Sequence, residues 1–141
     1  MNDIWSHIAP EFSKTENWGL PGRVSGLTLL ALSIIRRETG WPVVIHNAFE
    51  LTGHSANSQH YQGKAVDFHF TTDVQYYRQV LMVEQILNRY QLSEFVGLGI
   101  YPGWNNPGFH LDTRGSKARW GFDRMGREVA YEVAKDLARN V

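Results

Sequence analysis

Cysteine is absent from the 141-residue chain. That excludes a disulfide framework, a cysteine-ligated zinc finger, an iron–sulfur cluster and a thiol nucleophile. A charge excess of either sign is absent too, because 14 Lys and Arg balance 14 Asp and Glu. Phosphate-driven nucleic-acid binding normally shows a basic surplus, so no nucleic-acid partner is expected. Long hydrophobic runs are also missing. The longest, over residues 27–35, is interrupted by Thr28 and Ser33 and is too short to span a bilayer. Residues Met1 to Phe12 carry neither a basic start nor an apolar stretch of secretory length, which predicts synthesis in the cytoplasm without a signal peptide.

What is present suffices for a packed core: 43% of residues are hydrophobic and 13% aromatic. With no linker, repeat or low-complexity tract, one domain over residues 1–141 is expected, as a monomer. Ser25 is placed to cap a helix reaching Glu38, which Gly40 and Pro42 then stop. That helix is apolar almost all round and is expected to be central and buried. Val43 to Ile45 reads as a buried strand, and residues 47–62 as a polar loop. Lys64 to Phe70 alternates, which puts Ala65, Asp67 and His69 on one face of a strand. Asp73 is placed to cap a second helix to Tyr90, with Tyr76, Val80, Val83, Leu87 and Tyr90 as its apolar stripe. Two antiparallel strands follow at Gly97 to Tyr101 and Phe109 to Thr113, then a strand at Arg119 to Phe122. A terminal helix over Gly126 to Asn140 would turn Ala130, Val133, Ala134 and Leu137 inward. Helices first and strands later predict an α+β fold with a small antiparallel sheet packed against helices.

Six histidines are the chemistry-bearing surplus. Without thiols, any metal must be held by His, Asp and Glu. His60 ends the polar loop, Asp67 lies seven residues on in a strand, and His110 sits in a later strand two residues before Asp112. Two imidazoles and a carboxylate, with a fourth position left for water, are a common set for catalytic zinc. Spacing alone is weak evidence; the surrounding motifs are more specific.

Ser58-Gln59-His60-Tyr61-Gln62-Gly63-Lys64-Ala65-Val66-Asp67 reads S-x-H-x-x-G-x-A-x-D. Gly97 to Pro102 reads G-x-G-x-Y-P, and Phe109 to Gly115 reads F-H-x-D-x-R-G, with Trp120 beyond. Together these resemble the zinc D-Ala-D-Ala carboxypeptidase and murein endopeptidase family, whose fold is shared by the hedgehog signalling domain and phage endolysins. Phe12 to Glu16 and the helix leading into Pro42-Val43-Val44-Ile45 extend the resemblance over most of the chain. It implies a sheet-borne Zn2+ site with His60, Asp67 and His110 as ligands. It also implies hydrolysis of peptide bonds in peptidoglycan stems or cross-links, in the periplasm or cell wall after release. A phage or prophage lysis enzyme fits that expectation.

Two positions depart from the family pattern. Many members place an Asp or Glu three residues before the last zinc histidine as general base; here that residue is Pro107. Asp112 and His69 are the substitute catalytic candidates. Asp112 lies on the same face as His110, and its other reading is to hold His110 or Arg114 in place. The family's substrate-binding Arg aligns with Glu50, after Ala48-Phe49. A Glu there repels a free carboxylate and favours an amine, unless it is simply a solvated loop residue. Glu50, Ser58, Tyr101 and Arg114 are therefore the candidate substrate-binding residues. Ser58 also reads as a loop-turning residue, Tyr101 and Trp104 equally as cleft-lining or core aromatics, and His54 as a loop neighbour of His60 with substrate contact as its other reading. The departures motivate an alternative, a non-catalytic zinc-binding module that recognises peptidoglycan or a partner protein.

Overall fold

The structure, a computed structural model, describes residues 4–141. A short helix α1 (Ile4–Ile8) precedes the long helix α2 (Gly26–Thr39). Then come β1 (Val43–Asn47), β2 (Ala65–Phe70), α3 (Tyr76–Arg89), β3 (Gly97–Tyr101), β4 (Gly108–Asp112), β5 (Ala118–Phe122), β6 (Glu128–Val129) and α4 (Tyr131–Leu137). The strands form one six-stranded sheet in the order β1-β2-β4-β3-β5-β6. The fold is α+β, as the sequence predicts.

The sheet is mixed rather than antiparallel. β3 pairs with β5 in parallel, while every other pairing is antiparallel. The cause is local. β4 ends and β5 begins at the same end of β3, since Gly97 is opposite both Asp112 and Ala118. The chain therefore hops over the start of β3 through residues 113–117, and the two strands flank it. That hop carries Arg114.

Alternation divides the sheet into two chemical faces. Val66, Phe68, Phe109, Leu111, Leu98 and Ile100 are all fully buried on the face that packs against the helices. Asp67, His110, Gly99 and Trp120 are successive cross-strand partners on the other face. Helix α3 buries Tyr76, Val80, Val83 and Leu87 as the 4-3-4 stripe predicts, and the Tyr76 hydroxyl donates to the Gly108 carbonyl at 2.5 Å. Its stripe ends there, because Tyr90 is exposed. Helix α2 stops at Gly40, which takes the left-handed conformation (φ 71°) that glycine tolerates.

Four local expectations are corrected. Ser25 occupies the N-cap of α2, but its side chain makes no capping bond. Helix α2 is buried on one side only, with Leu27 and Leu30 exposed. Gln75, not Asp73, precedes α3. The terminal helix is shorter than expected: residues 128–129 pair with β5 as β6, and Val133 faces solvent while Ala134 is buried.

The N-terminal segment is tied on by ions. Glu11 accepts from the Ser33 hydroxyl (2.6 Å) and from Arg37 Nε (2.6 Å). Burial opposes its charge, but these bonds and a backbone contact hold its carboxyl below the usual range. A lowered folded-state value contributes stability above the unfolded carboxylate pKa, and that contribution is lost as pH falls through the folded value. Glu11→Gln should therefore destabilise the protein near neutrality and shrink that difference in acid, read by urea unfolding across pH. In the core, Leu98→Ala should cost roughly 2–5 kcal/mol in the same assay, whereas exposed Leu51→Ala should change stability by less than about 0.5 kcal/mol.

Candidate metal centre and cleft

His60, Asp67 and His110 are brought together, each buried, with one potential ligand atom apiece lying within 4.8 Å of the others. Asp67 and His110 are direct cross-strand partners on β2 and β4. His60 arrives from a one-turn helix, Gln59–Gln62, which Ser58 begins by accepting the His60 N–H at 3.2 Å. Gly63 ends that turn with φ 69°. A Cβ at Gly63 would collide with the Arg23 carbonyl, so the loop presses against the chain before α2 as only glycine allows.

The hydrogen-bond partners settle which nitrogens point inward. His60 Nδ1 lies 2.7 Å from the Ala48 carbonyl, which can only accept, so Nδ1 carries the proton. Its Nε2 lone pair then faces Asp67 Oδ2 at 3.3 Å. His110 Nε2 lies 2.7 Å from Asp112 Oδ2, which fixes its proton there when the ring is neutral. Its Nδ1 lone pair then faces Asp67 Oδ1 at 3.0 Å. With both rings neutral, two imidazole lone pairs face the Asp67 carboxylate; with His110 charged, its Nδ1–H donates to Asp67 instead. The His60-Asp67-His110 group can hold a metal ion when the rings are neutral.

The charges respond accordingly. Burial works against a charge on Asp67, yet the two histidines hold its carboxyl well below the usual range. Burial also opposes charging His110, but Asp112 and Asp67 outweigh it and raise its pKa.

Asp112 is fully buried behind His110. Its carboxylate accepts from Arg114 Nε (2.8 Å) and Nη2 (2.7 Å), from the Gly97 N–H (3.2 Å) and from His110. Glycine makes room for this. A Cβ at Gly97 would sit 2.5 Å from Asp112 Oδ2, and one at Gly99 would sit 2.7 Å from the Trp120 ring. Trp120 therefore lies over Gly99, its ring 4.8 Å from that of His110, and the Arg114 guanidinium covers Trp120.

A cleft of about 610 Å³ opens over these three residues. Of the sequence candidates, Ser58, Tyr101 and Arg114 line it. Glu50 does not; its N–H donates to the His60 carbonyl at 3.3 Å, beneath the loop. Neither proposed proton carrier lines the cleft. Asp112 is enclosed by its partners, and His69 turns to His46, with ring nitrogens 2.6 Å apart. Other lining residues, His54, Phe122 and Glu128 among them, belong to neither motif. His54 stacks on His60 at 4.2 Å between ring centres, Phe122 stacks on Tyr101, and Glu128 flanks them from β6. Among the described residues no helix is long and apolar enough to cross a membrane. No protein-family model matches the chain, and no curated protein or solved structure matches it either.

Asp112→Asn should lower metal affinity about 10–100-fold without unfolding the protein, because a single amide oxygen can no longer accept from both His110 and the Arg114-Gly97 side and carries no charge to polarise the ring. Gly97→Ala should act in the same direction by displacing the carboxylate. Competition against a chromophoric chelator measures both, and undiminished affinity in Asp112→Asn would refute the positioning role.

Proposed function

We propose that the protein is a zinc-dependent peptidase that hydrolyses peptide bonds of bacterial peptidoglycan, in D-Ala-containing stems or cross-links. The observation that carries this reading is the convergence of His60, Asp67 and His110, one potential ligand atom each, at the base of an open cleft. The two motifs quoted above supply these ligands, and they resemble a family of wall peptidases. A zinc ion held there supplies a Lewis acid for the scissile carbonyl and lowers the pKa of water to near 7.

The chain's own groups bind and orient. Burial first, and the Asp67 charge second, push the Tyr101 phenol up to about 12, so it stays protonated at neutral pH. Its oxygen accepts from Trp120 Nε1 at 3.3 Å, which leaves its own proton for a substrate carbonyl. Arg114 uses Nε and Nη2 on Asp112 and keeps Nη1 for a substrate carboxylate. His54 closes the loop side of the cleft. It is held there because its N–H donates to the Tyr61 hydroxyl (2.8 Å), which in turn donates to its carbonyl (2.7 Å).

A second reading, a non-catalytic metal-binding module, is favoured by one observation. Pro107 stands where the family has its base, and the two substitutes, Asp112 and His69, lie outside the cleft. Incubating the zinc-loaded protein with purified peptidoglycan fragments separates the two. Hydrolysis adds one water across a peptide bond, is seen by mass analysis, and should stop with a chelator and in His60→Ala. Retained zinc and retained fragment binding without any cleaved product would establish the second reading.

A further inference from the structure

The cleft is not uniform along the strands. The metal row, Asp67-His110-Gly99-Trp120, crosses its middle. Arg114 lies on one side of that row, above Gly97. On the other side stand Tyr101, two residues along β3 from Gly99, and Phe122, two residues along β5 from Trp120. Their rings stack in parallel at 5.1 Å and 14°, and Trp104 continues the stack beyond Tyr101 at 4.2 Å. Glu128 is the cross-strand partner of Phe122, so its carboxylate leaves the sheet beside the edge of that aromatic surface.

Glu128 is exposed, and its carboxylate joins no described residue by ion pair or hydrogen bond. Of the neighbouring arginines, Arg127 binds Asp123 at 2.8 Å, and Arg119 donates to the Val96, Ala118 and Ser93 carbonyls. The Glu128 charge reaches into the cleft, where it helps to raise the Tyr101 phenol, after burial and Asp67. A carboxylate at the rim of an aromatic surface, with no internal counter-ion, is the chemistry that recognises an alkylammonium group: methylenes on the rings, and the charge on the carboxylate and ring faces.

We infer that the Tyr101-Phe122-Glu128 end of the cleft is a subsite for an alkylammonium side chain, that of lysine or another diamino acid, in the bound peptide. Arg114 on the far side of the metal row takes a carboxylate, so the cleft sets the direction in which a peptide lies. The inference takes the peptide ligand from the peptidase reading, but the charge preference stands apart from turnover.

Two probes differing only in the ammonium test it: N-acetyl-Lys-D-Ala-D-Ala and the same peptide with norleucine in place of lysine. Each is titrated by calorimetry against the full chain, both zinc-loaded and chelator-treated. The lysine peptide should bind wild type about fivefold more tightly. The preference should shrink with added salt, vanish in Glu128→Gln and reverse in Glu128→Lys. A wild type that binds neither peptide, or both equally, overturns the inference, as does a preference that survives in Glu128→Gln. If the preference behaves as expected while the zinc-loaded protein cleaves no peptidoglycan fragment, the subsite stands and the peptidase reading falls.

Discussion

The Asp112 carboxylate is the fixed point on which the candidate site depends. It is fully buried, and a buried charge is tolerable only when its lone pairs are taken up. The Arg114 side chain, the Gly97 amide and His110 together do this. The same bonds that neutralise Asp112 therefore set the His110 tautomer, seat Arg114 across Trp120, and pin the hop between β4 and β5 to the start of β3. Removing any one partner would leave the others with an unmatched charge, so the site behaves as a single electrostatic unit.

Much of this was legible in the chain. Alternation in Lys64 to Phe70 put Asp67 on a face opposite the core, and the S-x-H-x-x-G-x-A-x-D and F-H-x-D segments named three residues that do converge. His110 lies 43 residues beyond Asp67, so only the fold brings it within reach of the other two. Ser58 reads as a loop-turning residue, and it begins the one-turn helix that presents His60.

What was not legible has physical causes. The parallel β3–β5 pairing leaves no local signature, because it follows from where β4 ends rather than from any property of β5. Residues 126–140 have helical spacing, so Glu128 was absorbed into a helix; the pairing of two residues with β5 outweighs that pattern. His69 shares a face with Asp67, as alternation predicts, but its partner His46 comes from a bulged part of β1, where the register shifts between Ile45 and Asn47. Asp112 was placed on the right face, and only the depth of its burial distinguishes a positioning group from a proton carrier.

The loop that delivers His60 is fastened to the molecule at few points, among them the Gly63 carbonyl to the Ser25 amide at 2.7 Å and His60 to the Ala48 carbonyl. The other two ligands belong to adjacent sheet strands. An ion shared by all three would thus be a rivet between a loop segment and two adjacent strands of the sheet. It closes a loop of chain that the backbone bonds leave weakly tethered. An ion held there would therefore tie the loop side of the cleft, from His54 to Ser58, to the sheet as well as joining three side chains.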